Sequence, residues 1–122
     1  MSQDKLNKIL RDIELSAPGG VIEGVALVSR EGLMISSSLK YESNEDMIAA
    51  MTATLHALGE QTVREMEKGE LKGAFIRGEN GYALVGKVGD SALLILLARK
   101  EAQMGVLLYL IEKMARELEK YI

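Results

Sequence analysis

Gly24-Val25-Ala26-Leu27-Val28-Ser29-Arg30-Glu31-Gly32-Leu33-Met34-Ile35-Ser36-Ser37-Ser38 reads as two strands joined by a short turn. Both runs follow the two-residue period of a strand and break only at Arg30-Glu31-Gly32, where the glycine can supply a positive φ. From Val21 to Ser29 the chain is apolar on both sides, with Val21, Val25 and Leu27 on one and Ile22, Ala26 and Val28 on the other. Such a strand belongs inside a sheet covered on both faces. Its mate, Leu33 to Ser38, fades into three serines and reads as a polar edge.

The helices that would cover those faces lie on either side of the hairpin. Residues 3 to 16 place Leu6, Ile9, Leu10 and Ile13 at helical spacing, and Pro18-Gly19-Gly20 stops that helix. Downstream, Asn44-Glu45-Asp46 opens a long helix expected to run to Lys68, with Gly69 ending it. Its larger apolar residues, Met47, Ile48, Met51, Leu55, Leu58, Thr62 and Met66, fall within one stripe, which is expected to pack on the sheet. The opposite side carries Ala49, Ala50, Ala53 and Ala57, followed by Glu60, Gln61 and Arg64. A flat alanine surface allows close approach of a second helix, so this side is read as a dimer face.

Three further strands follow. Leu71 to Arg77 is short and decorated by Lys72 and Arg77, and Glu79-Asn80-Gly81 is a hairpin signal in which Asn-Gly fits a type I′ turn. Tyr82 to Val88 returns as the partner strand. Ala92 to Ala98 is apolar at every position and is expected at the sheet centre. A last helix, Glu101 to Tyr121, presents Leu107, Leu108, Ile111, Met114 and Leu118 on a broad apolar face. The order α, β-hairpin, α, three strands, α predicts one antiparallel three-layer α/β domain over residues 1–122, with the first and last helices on one side and the central helix on the other.

Composition narrows the function. Without cysteine there is no disulfide framework, thiolate nucleophile or Cys-based zinc site, which fits a reducing, cytoplasmic location. A formal charge of −3 with no long basic cluster argues against nucleic acid as a partner. The start Ser2-Gln3-Asp4 is unlike a signal peptide, and the apolar run Ala92 to Ala98 is too short to insert in a membrane.

Chemistry is conspicuous by its lack. Gly81-Tyr82-Ala83-Leu84-Val85-Gly86-Lys87-Val88 matches GxxxxGK but has valine where a magnesium-binding hydroxyl is required, and its setting is a strand rather than a strand-to-helix turn. His56 is the only histidine; with Glu60 at i+4 it makes two ligands, too few for a metal site, so it is read as an interface or exposed polar residue. No serine lies in a nucleophile elbow, and Glu45 with Asp46 is explained by the helix start. The expectation is a protein without catalytic residues, metal or cofactor.

With these elements in place the chain resembles the roadblock/LC7 family, which includes dynein light chain, Ragulator-subunit and MglB-type domains. The resemblance is carried by the Gly24–Ile35 hairpin, by the Ala- and Met-rich helix with Leu58-Gly59 at its middle, and by the Gly81-Tyr82-Ala83-Leu84-Val85 strand. It implies a profilin-like, five-stranded antiparallel sheet of order 2-1-5-4-3. It also implies dimers, either of the chain with itself or with a paralogous roadblock protein, in which third strands pair edge to edge and central helices pack together. In this sequence that would use Leu71, Gly73 and Phe75 on the joining strand and Ala49, Ala50, Ala53 and Ala57 on the helix. Family members are non-enzymatic regulators or adaptors of Ras-like small GTPases. The resemblance therefore implies a GTPase partner, placed here on the helix pair at His56, Glu60 and Arg64, with Arg30 as a second surface arginine. A pure scaffold subunit and a small-molecule sensor with a methionine-lined pocket are the alternatives.

Overall fold

The computed structural model describes residues 3–39 and 44–122. Helix α1 spans Gln3–Ser16 and gives way, through a 3-10 turn at Pro18–Gly20, to strand β1, Ile22–Ser29. Strand β2 is Met34–Leu39, helix α2 Glu45–Glu65, strands β3, β4 and β5 are Ala74–Gly78, Gly81–Val88 and Ala92–Arg99, and helix α3 is Met104–Glu119. The strands form one antiparallel sheet in the order β2-β1-β5-β4-β3, as the resemblance implies. β5 lies at its centre, with Leu93, Leu94 and Leu96 fully buried.

Strand alternation sorts the core into two unequal layers. Val25, Leu27, Leu84, Leu94 and Leu96 face α1 and α3, where Leu10, Ile13, Leu107, Ile111, Met114 and Leu118 close a large apolar core. Ala26, Val85 and Ile95 face the other way, under α2, joined by half-buried Met34, Ile48, Leu55, Ala74 and Leu97. The second layer is thin because its sheet side is built from smaller side chains.

The serine run is polar, as expected of an edge, and each hydroxyl is occupied. Ser36 donates to Asn7 Oδ1 and Ser38 to Glu14 of α1, while Ser37 donates to Glu45 of α2 at 2.8 Å. Because neighbours on a strand point to opposite faces, the three serines fasten β2 to the helices on both sides of the sheet.

Four local expectations need correction. The orientation of α2 is the largest: Ala49, Thr52 and His56 are its buried residues, while Met47, Met51, Leu58 and Met66 stand 53% to 66% exposed. Only Ile48 and Leu55 of the expected stripe reach the core. The alanines do permit a close approach, but to the chain's own β1–β2 turn. A Cβ at Gly32, whose φ is +92°, would lie 3.5 Å from Ala50 Cα and 3.6 Å from Ala53 Cβ. Seating that turn requires small residues beneath it, so the larger methionines are turned outward.

The end of α2 also differs. Lys68 N–H donates to Val63 at 2.7 Å and Glu67 N–H to Arg64 at 3.2 Å, the paired bonds of a Schellman cap, with Glu67 rather than Gly69 in the left-handed position at φ +56°. In the β3–β4 hairpin Gly78 pairs with Gly81, so the loop is Glu79-Asn80, and neither has a positive φ. Gly81 is needed for space: a Cβ there would stand 2.3 Å from Ala98 O on β5. Finally, β3 begins at Ala74, so Leu71 and Gly73 precede the strand.

Candidate partner-binding surface

At one edge of the sheet β3 pairs, among the described strands, only with β4, leaving its other side as the sheet's edge. Phe75 is opposite Leu84 and Ile76 opposite Ala83, so the two side chains flank that edge on opposite faces of the sheet. Both are exposed, at 49% and 43%. The ring of Phe75 folds back over Gly73, where an added Cβ would meet its Cζ at 3.0 Å.

Helix α2, on the Ile76 face of the sheet, carries an apolar surface of its own. Met47, Met51 and Leu58 recur at i, i+4 and i+11, one side of a helix, interleaved with exposed Ala50, Thr54 and Ala57. Asn44 caps the helix by accepting from Met47 N–H at 3.1 Å. Leu71 ties the segment before β3 to α2 by packing on Gly59, where a Cβ would lie 3.1 Å from the leucine.

A polar cluster occupies the end of the sheet where the β1–β2 turn, the β4–β5 turn and the middle of α2 meet. Arg30 donates to both carboxylate oxygens of Glu60 at 3.1 Å and to Asp90 O at 3.2 Å. Lys87 on β4 pairs with Asp90 at 3.3 Å and with Glu70 at 3.7 Å. His56 lies beneath α2, with Nε2 3.4 Å from Glu60 Oε1, yet that atom is buried without a hydrogen-bond partner. Burial holds the imidazole pKa below its ordinary 6.5; Glu60 opposes the shift, and Arg30 and Lys87 add to it.

Several residues singled out from sequence are therefore placed differently. Ala49 is fully buried and offers no surface to a partner, whereas Ala50 and Ala57 are exposed and Ala53 is half-buried beside the turn. Phe75 is exposed, while Leu71 and Gly73 are half-buried in contacts within the chain. His56 is buried, Glu60 is occupied by Arg30, and Arg64 alone of the three keeps an exposed side chain. Arg30 is half-buried and paired rather than free. What the sequence reading passed over is the outward methionine stripe, whose signal was the presence of apolar residues on both sides of α2.

Among the described residues no group of three or more His, Cys, Asp or Glu side chains could hold a metal ion. No helix there is long and apolar enough to cross a membrane.

Comparison with known proteins adds relatives to this geometry. The chain is 31% identical over 88 residues to the uncharacterized protein MJ0310 of Methanocaldococcus jannaschii, covering 72% of this chain and 76% of the relative. In structure it is similar to Myxococcus xanthus MglB, with a TM-score of 0.86 at 21% identity over 99% of this chain and 97% of that one. A Roadblock/LC7 domain from Streptomyces avermitilis gives a TM-score of 0.84, also at 21% identity, over 94% and 95% of the two chains. At such identity these two structures establish a common fold. The Roadblock/LC7 domain profile matches residues 14–98, from the end of α1 to the end of β5, and on that match the chain belongs to the Roadblock/LC7 domain family.

Proposed function

We propose that the protein is a non-enzymatic, dimeric regulator or adaptor of a Ras-like small GTPase. The observation that carries the dimer is the apolar outer face of α2, with Met47, Met51 and Leu58, in a chain that also leaves the β3 edge unpaired and Phe75 and Ile76 exposed along it. A second copy brought up by a twofold rotation offers the same edge and the same stripe, so both would be covered at once. The interface thus keeps Ala50, Ala57 and Phe75 from the sequence reading and replaces Ala49 with the methionines. A paralogous roadblock protein could present an equivalent face.

The GTPase partner rests on membership of the family and on the likeness to MglB. In this reading the protein holds the GTPase's switch segments in one nucleotide state, contributing binding energy rather than a catalytic group. Arg64, exposed near the end of α2, is assigned to that contact; Glu60 and His56 act from below, in positioning the helix.

The test is binding to the Ras-like GTPases of the source organism, each loaded with GDP or with a non-hydrolysable GTP analogue, while hydrolysis is followed with and without this protein. Preference for the GTP state with faster turnover supports a regulator. Binding that ignores the nucleotide points to an adaptor, and absence of binding to any of them removes the GTPase from the proposal.

A further inference from the structure

The cluster at the end of the sheet has an arrangement that a purely structural ion pair does not need. Glu60 is shared: both of its oxygens accept from Arg30, while one of them stands 3.4 Å from His56 Nε2 without forming an aligned hydrogen bond. Buried polar atoms are rarely left unpartnered, since each costs about 1–3 kcal/mol. The unpartnered nitrogen belongs to the one side-chain type that ordinarily changes charge near neutrality.

Among the described residues the charged groups facing that imidazole come from three elements. Glu60 comes from its own helix, Arg30 from the β1–β2 turn and Lys87 from β4, the last already engaged by Asp90 and Glu70. One carboxylate thus lies between a guanidinium and a latent cation. A proton on His56 creates an i,i+4 ion pair with Glu60 and at the same time sets a second positive charge against Arg30. Both effects act in one direction, drawing Glu60 toward the helix and weakening its hold on Arg30.

Arg30 is also the principal polar tether of its turn. It joins the turn to α2 through Glu60 and to the β4–β5 turn through Asp90 O. Otherwise the turn is held by bonds within itself, Ser29 N–H to Leu33 O and Gly32 N–H to Ser29 O, and by the contact of Gly32 with Ala50 and Ala53. Leu33 beyond it is 69% exposed.

We infer that His56, Glu60 and Arg30 form a proton-operated latch, in which a proton taken up by the His56 imidazole transfers the Glu60 carboxylate from Arg30 to the imidazolium and frees the β1–β2 turn from α2. In the closed form Arg30 is withheld in the ion pair; in the open form its guanidinium is available to solvent or to an anionic partner. The inference does not depend on the GTPase reading.

The single histidine makes the test direct, because its imidazole signals are unambiguous in NMR spectra. His56, the Arg30 Nε–H and the amides of Glu31, Gly32 and Leu33 are followed between about pH 5 and 8. The expected result is a common midpoint for the histidine, the arginine and the turn. Arg30→Gln should raise the His56 midpoint by removing the opposing charge, and Glu60→Gln should lower it. His56→Gln should flatten the response of the turn. If the turn and Arg30 signals stay fixed while His56 titrates, or if Arg30→Gln leaves the His56 midpoint in place, the latch is refuted. Should His56→Gln fail to fold, Arg30→Gln decides the matter alone, because the Arg30 side chain lies partly exposed at the surface rather than in the core.

Discussion

Replacing Met51 by glutamate should weaken self-association while leaving the fold of each protomer in place. Burying a methionine side chain completely is worth roughly 1.5–3 kcal/mol, and 53% of Met51 is still exposed in the single chain. Covering the remainder therefore contributes about 0.8–1.5 kcal/mol per copy, or about 1.5–3 kcal/mol for a twofold pair in which the residue occurs twice. Its loss alone weakens dimerisation by roughly ten- to a hundredfold, and two carboxylates facing one another across the axis add to that. Sedimentation equilibrium over a concentration series reads the constant directly. Ala49→Leu is the matched control, because it enlarges a fully buried residue beneath the β1–β2 turn. Overpacking of that kind costs about 1–3 kcal/mol of folding stability, visible in urea unfolding followed by circular dichroism. The two assignments of α2's faces predict opposite outcomes for this pair. A dimerisation constant unchanged by Met51→Glu, together with an Ala49→Leu protein that folds normally and fails to dimerise, would restore the alanine interface and refute the reasoning.

Three other outcomes follow from single sites. Glu67→Gly should raise folding stability by about 0.5–1 kcal/mol, since the left-handed backbone costs a side chain about 1–2 kcal/mol and glycine returns part of this as unfolded-state entropy; an unchanged or lower melting temperature would contradict the cap. Gly81→Ala should be severely destabilising, by about 3 kcal/mol or more, because 2.3 Å between a Cβ and Ala98 O can be relieved only by separating β4 from β5, whereas Gly105→Ala, with nothing within 4 Å of its Cβ, should be neutral or stabilising by up to about 1 kcal/mol. Burial of neutral His56 makes stability depend on pH in one direction: the unfolded chain takes up a proton near 6.5 and the folded chain only lower. That contribution is therefore intact above the ordinary pKa and lost as pH falls through the lowered one; urea midpoints that do not decline below about pH 6.5, or that decline equally in His56→Gln, would count against it.

Most of the element order was legible in the chain because its signals are local. The hairpin, the two-sided strand at Ala92 to Ala98 and the caps at Pro18-Gly19-Gly20 and Asn44 are each specified within a few residues, where alternation and turn chemistry decide. The candidate site was less legible. Phe75 and Arg64 are exposed, but the methionines, which the helical stripe places against the sheet, face outward.

What the sequence determined by itself is therefore the succession of helices and strands, the two-sided sheet and the absence of any familiar catalytic motif. What only the tertiary structure decided is which side of α2 faces inward and which charges meet. Both sides of α2 carry apolar residues, yet the larger ones are not those buried, so the choice falls to shape: Gly32 must approach Ala49, Ala50 and Ala53 closely. Likewise Arg30 and Glu60 lie thirty residues apart, and no local pattern pairs them. They meet because closing the sheet carries the β1–β2 turn under the middle of α2, where the one histidine already waits beside the same carboxylate.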